Sequence, residues 1–365
     1  MLKTLLFISS FFIFAVNSFS ETVKIGMVLP LTGNQATYGV DAQRVVSLLA
    51  PKGYFEKSGF KFEFILEDGQ CGVGNSATTA GHKLIHFEGV KFLVVGCSGE
   101  VLQIAPLAEK AKVVTVGYAS SHPDIRNSGD YIFRTYVDIT KAVQLIADRI
   151  KTDESGTIAV LTEESSFTLG IKKELLTQLG VKVAFAEDFH VDDTSFQMLL
   201  TKAGTSKASA YFLNTASPRT YQNLFKQLRQ LGMTRQVYSY HMPSDPDVIK
   251  SLGAAQNGVK FVATPEVEHG SSEFETFFKS YITRYPDGPN IDFLLRSSYD
   301  AIMVLMESIM AVGSDTELVK QHLYNNTFEG ALGKVSFDEY GDVRDVNFTL
   351  KEIVDGKPQK LLALH

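Results

Sequence analysis

Short apolar strand patterns alternate with amphipathic helix patterns from residue 23 to residue 263. In the first unit, residues 23–29 form an apolar strand, a polar loop with Pro30 and Gly33 follows, and residues 39–49 have helical periodicity. Repeated strand–helix units favour parallel sheets with helices on both faces. The other predicted strands are 61–67, 90–96, 113–118, 157–161, 181–185, 210–213, 237–240 and 259–263.

The pattern changes after residue 270. Helices are predicted at 273–285, 291–312 and 316–325, followed by strands at 334–338, 346–353 and 359–362 that glycine turns separate. A chain of 365 residues is longer than one compact domain usually needs. We therefore predict an α/β protein with two doubly wound, Rossmann-like lobes and several chain crossings between them.

The first twenty residues have the pattern of a secretory leader. Lys3 gives a positive start, residues 5–16 are apolar, and small residues precede a cleavage point after Ser20. A membrane-spanning helix needs roughly 20 apolar residues, which is longer than this run. We predict a signal peptide at 1–20 and export to the periplasm, with an uncleaved anchor as the alternative.

Composition and charge exclude several classes of function. The formal net charge is −6, and no basic stripe could meet the phosphates of a nucleic acid. The eight histidines form no HExxH pattern, so we predict neither a metal site nor another cofactor. Because GxGxxG, GxxxxGK[ST] and GxSxG motifs are also missing, we expect no enzymatic activity.

The chain has two cysteines, Cys71 and Cys97. Each follows a predicted strand, so both are expected at the same end of neighbouring strands. Two cysteines in an exported protein usually pair, and closing this loop would contribute roughly 3–4 kcal/mol on the chain-entropy model. Two buried free thiols are the alternative, whereas spacing and number fit neither a CxxC redox centre nor a zinc cluster.

Four features recur in a fixed order: VKIGMVLPLTG, the pair Cys71 and Cys97, VGCSGEVLQIAPLAEKAKVVTVGYASS and ALGKVSFDEYGD. In this order and spacing they resemble the leucine/isoleucine/valine-binding family, the type I periplasmic solute-binding proteins of ABC importers. The resemblance runs from about residue 21 to the C-terminus. It implies two α/β lobes joined by three hinge strands, with a ligand bound between lobes that close around it.

The same resemblance implies the positions of the lobes and hinges. The hinges fall near residues 135–138, 263–266 and 330–334. The N-lobe would comprise residues 21–136 and 266–331, and the C-lobe residues 137–265 and 332–365. The long predicted helix at 291–312 then belongs to the N-lobe.

Ser98 lies between a predicted strand and the predicted helix at 100–111. A helix N-terminus offers unpaired N–H groups and a partial positive charge, which favour a carboxylate. The resemblance implies that Ser98 contacts the carboxylate of the ligand. A serine that only caps the helix is the alternative.

Residues 118–121 end the next strand at the carboxyl edge of the sheet, where ligands of open α/β sheets bind. The resemblance implies that the Ser120 hydroxyl helps to hold the carboxylate and amine of a ligand. It also implies that the backbone carbonyl of Tyr118 accepts a hydrogen bond from the amine of the ligand and that Ala119 belongs to the same site. Hydroxyls that satisfy only the local backbone are the alternative. Tyr38 is expected to wall the pocket, unless it is a surface aromatic.

The other half of the site departs from the amino-acid pattern of the family. His241 aligns with an acid that pairs with the α-ammonium, and Phe167 and Ala216 align with tyrosines. Arg296 aligns approximately with an aromatic lid residue. A buried ammonium needs a paired anion, which His241 cannot supply.

These departures change the expected ligand. Arg296 could clamp a second carboxylate or stack on a ring, unless it forms a surface ion pair. We predict a carboxylate-bearing ligand that need not be an α-amino acid, with a dicarboxylate, an aromatic acid or an acidic amino acid as candidates. A small amide is an alternative ligand. Rim carboxylates could still bind an ammonium, and the candidates are Glu163, Glu164 and Asp124.

The resemblance also implies a membrane partner. The protein would deliver its ligand to an ABC permease at the inner membrane, and we expect it to be a monomer. A sensor that reports the ligand to a membrane receptor would have the same fold and is the alternative.

Overall fold

The computed structural model describes residues 21–49, 59–267 and 269–361, so the predicted leader lies outside the described residues. Within them, no helix has both the length and the apolar character needed to cross a membrane. Two separate sheets with helices packed around them make up most of this part of the chain. The predicted α/β class and two-lobe architecture are confirmed.

The first sheet contains β1 (Glu21–Leu29), β2 (Phe60–Asp68), β3 (Phe92–Cys97), β4 (Val114–Ala119) and β5 (Ile132–Arg134). The strands are parallel and lie in the order β2-β1-β3-β4-β5. Every residue of β3 is buried, as expected for a parallel strand covered on both faces. The connecting helices are α1 (Thr37–Leu49), α2 (Ser76–His82), which continues as a π-helical turn at Lys83–Phe87, and α3 (Ser98–Ala111).

The second sheet is preceded by α4 (Ile139–Asp153). Asp138 is the N-cap of this helix, and its side chain accepts a hydrogen bond from the Thr140 amide. Its first strands are β6 (Ile158–Glu163), β7 (Val183–Phe189), β8 (Ala210–Asn214), β9 (Gln236–Ser239) and β10 (Lys260–Ala263). The helices between them are α5 (Ser166–Leu179), α6 (Gln197–Thr205), α7 (Pro218–Gln230) and α8 (Pro246–Leu252). Apolar clusters cover both faces of this sheet, which explains its continuous runs of buried residues.

The chain then returns to the first sheet with α9 (Ser272–Arg284), α10 (Asp292–Val312) and α11 (Thr316–Asn325). Leu295 and Leu305 on α10 share one apolar cluster with Ile25 of β1, so these helices complete the core of the first lobe. Two short strands follow and pair with each other, β11 (Phe328–Gly330) and β12 (Gly333–Val335).

The last strands, β13 (Thr349–Val354) and β14 (Lys357–Lys360), extend the second sheet. Its order is β14-β13-β10-β9-β8-β6-β7, and β13 runs antiparallel to both β10 and β14. The predicted turn before β14 is confirmed, because Asp355 and Gly356 have the positive φ values that a tight hairpin turn needs. The strands predicted at 334–338 and 346–353 do not pair with each other, because β12 pairs with β11 and β13 pairs with β10 and β14. The glycine turn between them is present at residues 338–342, next to an antiparallel bridge between Phe337 and Val343.

The crossing after β12 carries a buried charge network. Arg134 is fully buried and pairs with Asp342 at 2.5 Å and with Asp138 at 2.8 Å. Val335 and Phe337, in a stretch that the sequence assigns to the C-lobe, lie in the apolar cluster of the first lobe. The exact lobe boundaries and hinge positions stay predictions.

Candidate functional site

A small cavity of about 40 Å³ lies where the carboxyl ends of the two sheets face each other. Its residues follow strands of both sheets, as Ser98 follows β3 and His241 follows β9. The volume holds a few water molecules, so the lobes must part further to admit an amino acid or a ring acid. No Asp, Glu, Lys or Arg lines the cavity among the described residues, and the lining is Gln35, Tyr38, Cys71, Cys97, Ser98, Gly99, Ala119, Ser121, Tyr136, Ser165, Ser166, Phe167, His241, Thr264, Ile291 and Leu294.

A disulfide forms one wall of the cavity. Cys71 and Cys97 are bonded, with Cα atoms 4.9 Å apart, which confirms the predicted pairing. The carboxyl group of Glu100 accepts from the Cys71 amide at 3.0 Å and from the Cys97 amide at 2.7 Å. Burial raises the pKa of Glu100 to about 8. The disulfide and Glu100 together hold the loop before α2 against the start of α3.

Ser98 lies in the first turn of α3, next to the cavity. Its hydroxyl oxygen accepts from the backbone amides of Ser121 at 3.1 Å and of His122 at 3.2 Å. Cys97 occupies the N-cap position, so Ser98 does not serve as the simple cap that the sequence allowed. Since its oxygen accepts two hydrogen bonds from the protein, its proton is left for donation to a ligand.

The N-termini of two helices from different lobes meet at the cavity. Ser98 and Gly99 begin α3, while Ser165 caps α5 and Ser166 begins it. A Cβ atom built on Gly99 would lie 3.0 Å from Oγ of Ser166, which shows how closely the two first turns approach. Each helix end carries a partial positive charge. Since none of the described residues that line the cavity is Asp, Glu, Lys or Arg, these two helix ends dominate the electrostatics of the site.

The serines that follow β4 are placed differently from what the family resemblance implies, since Ser120 was expected to contact the ligand. Ser121 lines the cavity, and its buried Oγ has no hydrogen-bond partner among the described residues. Ser120 lies outside the lining and donates to the carbonyl of Gly96 at 2.6 Å. Ala119 lines the cavity, and the serine of this segment that joins it there is Ser121, the residue after Ser120.

Tyr118 is buried beneath the cavity rather than in its lining. Its backbone carbonyl, which the resemblance offered to a ligand amine, accepts from the hydroxyl of Ser297 at 2.7 Å. The Tyr118 hydroxyl donates to the carbonyl of Tyr38 at 3.0 Å. Tyr118 therefore supports Tyr38, which does line the cavity.

Phe167 and His241 lie on the side of the cavity that the second lobe contributes. His241 is only 8% exposed, and its ring lies 6.0 Å from that of Phe167 and 5.0 Å from that of Tyr240. Burial lowers the pKa of His241 to about 4, so the imidazole is neutral near pH 7. Ala216 is outside the lining, but its carbonyl accepts the hydroxyl of Tyr38 across the cleft at 2.8 Å.

Arg296 is not brought to the cavity. Its guanidinium pairs with Asp292 at 2.7 Å, donates to the carbonyl of Ala331 at 3.0 Å and stacks 4.7 Å over Phe274. These groups already compensate its charge inside the N-lobe. The helix pattern placed Arg296 on α10 correctly, but the face of α10 that it occupies is turned toward α9.

The three rim carboxylates proposed for an ammonium also stay away from the cavity lining. Glu163 is buried and accepts from the Ala216 amide at 2.7 Å, and burial raises its pKa to about 7. Asp124 pairs with Lys173 at 3.0 Å, and Glu164 is exposed. None of them lies where it could pair with an ammonium inside the cavity.

Sequence reasoning did not single out several lining residues. Ser165 and Ser166 carried a usable signal, because a serine pair before an apolar helix pattern predicts an N-terminus. Tyr136 and Thr264 belong to the predicted hinges, where no periodicity marks the side that faces a ligand, and Ile291 begins the predicted helix at 291–312.

A sequence model described as "Periplasmic binding protein" matches residues 22–356. The chain belongs to the periplasmic binding protein family. It is 28% identical over 348 residues to the leucine-, isoleucine-, valine-, threonine- and alanine-binding protein of Pseudomonas aeruginosa, which covers 91% of this chain and 90% of the relative. The resemblance to the leucine/isoleucine/valine-binding family is confirmed.

Solved structures of this family have the same fold. The leucine-binding protein LivK of Thermotoga maritima superposes with a TM-score of 0.79 at 23% identity, covering 93% of this chain and 98% of LivK. A solute-binding protein of an ABC transporter from Rhodopseudomonas palustris BisB5, in complex with 3,4-dihydroxybenzoic acid, gives a TM-score of 0.77 at 23% identity, covering 92% and 95%. This periplasmic binding protein thus belongs to a family of extracytoplasmic proteins that bind small solutes.

Proposed function

We propose that this periplasmic binding protein captures a small carboxylate that lacks an α-ammonium group and delivers it to an ABC permease at the inner membrane. The leader pattern at residues 1–20 supports export to the periplasm. We expect the exported protein to work as a monomer, which light scattering coupled to size-exclusion chromatography checks.

The meeting of two helix N-termini at an otherwise uncharged cavity carries this proposal. The first turns of α3 and α5 supply backbone amides and two partial positive charges. The Ser98 and Ser121 hydroxyls add donors beside them. A carboxylate placed between these groups gains charge-assisted hydrogen bonds that a neutral ligand does not.

The same lining argues against an α-ammonium group. An ammonium taken out of water needs an anion nearby, since an unpaired buried charge is costly. No carboxylate lines the cavity among the described residues, and His241 is neutral because burial lowers its pKa. The relatives include an amino-acid-binding protein and a solute-binding protein in complex with 3,4-dihydroxybenzoic acid. This cavity fits the second kind of ligand better.

Closure of the lobes around the ligand supplies the mechanism. A ligand that contacts both α3 and α5 binds the closed form more tightly than the open form and therefore shifts the population toward closure. The closed arrangement is the form that a permease could distinguish from the empty protein.

The proposal is tested with matched ligand pairs and residues 21–365 of the chain. Thermal-shift and calorimetric titrations compare leucine with 4-methylpentanoate, and benzoate with benzamide, because a ligand that binds only the folded state raises its melting temperature. We expect binding of at least one acid, with its amino-acid or amide counterpart at least tenfold weaker. Tighter binding of leucine than of 4-methylpentanoate would overturn the proposal.

Delivery is tested separately in cells. Deleting the gene is expected to abolish high-affinity uptake of the labelled acid that the purified protein binds. Uptake that persists while a transcriptional response to the acid disappears would contradict delivery and indicate a sensor.

A further inference from the structure

His241 marks one end of the cavity. A second, open cavity of about 400 Å³ adjoins the first, and the two share His241, Thr264 and Ile291. Ser98 and Ser166, at the helix N-termini, line the first cavity and not the second. The imidazole therefore lies on the side of the first cavity that adjoins the second, a side that Ser98 and Ser166 do not line.

The imidazole of His241 is held in place by two neighbouring rings. Tyr240 and Phe167 pack around the ring, and His241 lies in the segment between β9 and α8. Its Nδ1 atom is buried with no hydrogen-bond partner among the described residues. A buried polar atom without a partner is unfavourable, so a ligand group that forms a hydrogen bond with this nitrogen would gain affinity.

The rest of the lining suits a flat, apolar ligand body. The aromatic rings of Tyr38, Tyr136 and Phe167 line the cavity together with the aliphatic side chains of Ile291 and Leu294. A neutral imidazole has one N–H donor and one acceptor nitrogen. A hydroxyl group can both donate and accept, so it matches either tautomer. A second carboxylate would meet no Lys or Arg among the described residues that line the first cavity.

We propose that His241 hydrogen-bonds a hydroxyl group at the end of the ligand remote from its carboxylate, so that the protein selects hydroxylated aromatic carboxylic acids. The inference rests on the proposed capture of a carboxylate and adds the ring and its hydroxyl. The histidine is then a specificity-determining residue, separate from the helix ends that bind the carboxylate.

A comparison of two ligands in the wild-type protein and in two variants of His241 tests this selection. Calorimetry measures the dissociation constants of 4-hydroxybenzoate and 4-methylbenzoate, which match in size but differ in hydrogen bonding. We expect the wild-type protein to bind the hydroxy acid about tenfold more tightly. In His241→Leu the two acids should bind equally, and in His241→Asn, whose amide can donate and accept, part of the preference should return.

The outcomes separate this inference from the proposed function. Equal affinity of the wild-type protein for both acids, or a preference that survives in His241→Leu, overturns the role of His241 while carboxylate binding stands. Failure of both ring acids, while 4-methylpentanoate binds, overturns the ring and hydroxyl alone. Failure of every carboxylate overturns the proposed function as well. Circular dichroism and the melting temperature of each variant establish that it is folded.

Discussion

The hydroxyl group of Tyr38 donates a hydrogen bond to the carbonyl oxygen of Ala216 at 2.8 Å. Tyr38 belongs to α1 in the first lobe, and Ala216 lies between β8 and α7 in the second, so the bond crosses the cleft. Burial raises the pKa of Tyr38 well above its ordinary value, which keeps the phenol protonated and able to donate. Because the two partners belong to different lobes, this bond stabilises the closed form.

Removing this hydroxyl should favour opening. In Tyr38→Phe, loss of one hydrogen bond, typically about 1 kcal/mol, should raise the ligand dissociation rate roughly fivefold with little change in association. Stopped-flow kinetics measures both rates. Tyr324→Phe is the matched control, because the Tyr324 hydroxyl donates to Asp130 at 3.1 Å within the first lobe. An unchanged dissociation rate in Tyr38→Phe would show that the bond does not contribute to closure.

Ser121 and Ser98 should respond differently to alanine. The Ser121 hydroxyl is buried without a partner among the described residues, so Ser121→Ala should leave the melting temperature unchanged or slightly higher, while weakening ligand binding about tenfold. Ser98→Ala should lower both affinity and stability, since the amides of Ser121 and His122 lose their acceptor. Titration calorimetry and thermal unfolding measure the two effects.

The control for these two variants is Ser155→Ala, in the exposed turn between α4 and β6. It should change neither affinity nor melting temperature by more than the experimental error. If Ser121→Ala binds as tightly as the wild type, the Ser121 hydroxyl does not face the ligand.

The disulfide should matter for binding as well as stability, because both cysteines line the cavity. Replacing Cys71 and Cys97 by serine should lower the free energy of unfolding by roughly 3–4 kcal/mol and weaken ligand binding. Urea unfolding and calorimetry measure these changes. A reductant should reproduce them in the wild type and have no effect on the double variant. Unchanged affinity in a folded double variant would restrict the disulfide to a stabilising role.

Glu100 should make stability depend on pH. Burial raises its pKa from 4.5 to about 8 in the folded protein, so the folded state holds the proton more tightly than the unfolded chain. The resulting stabilisation is complete below pH 4.5 and is lost as the pH rises through 8. Relative to Glu100→Gln, the wild type should lose on the order of 1–3 kcal/mol between pH 5 and pH 8.

Comparing Glu100→Gln with the wild type at each pH removes the contribution of the other groups that titrate. His241, whose pKa burial lowers, acts in the opposite direction and is the same in both proteins. Urea unfolding curves at several pH values supply the measurement. Parallel stability profiles of the two proteins would contradict a raised pKa for Glu100.

Local patterns predicted most of the secondary structure because buried strands and amphipathic helices have distinct periodicities. The helix predicted at 316–325 is α11, and the strand predicted at 61–67 lies within β2. The short strands β5 and β11 were missed, since three residues are too few to show a period. The helix α8 was missed despite a usable signal, with Asp245 as its N-cap and Pro246 in its first turn.

The sequence by itself determined the α/β class, the family, the cysteine pair and the edge of each sheet where a ligand would lie. Those features depend on local periodicity, on composition and on motif order. Only the tertiary structure decided that Ser121 rather than Ser120 faces the cavity, and that Arg296 turns toward Asp292 and α9. A shift of one residue moves a side chain to the other face of a strand end or helix, and only packing against neighbouring elements fixes which face meets the ligand.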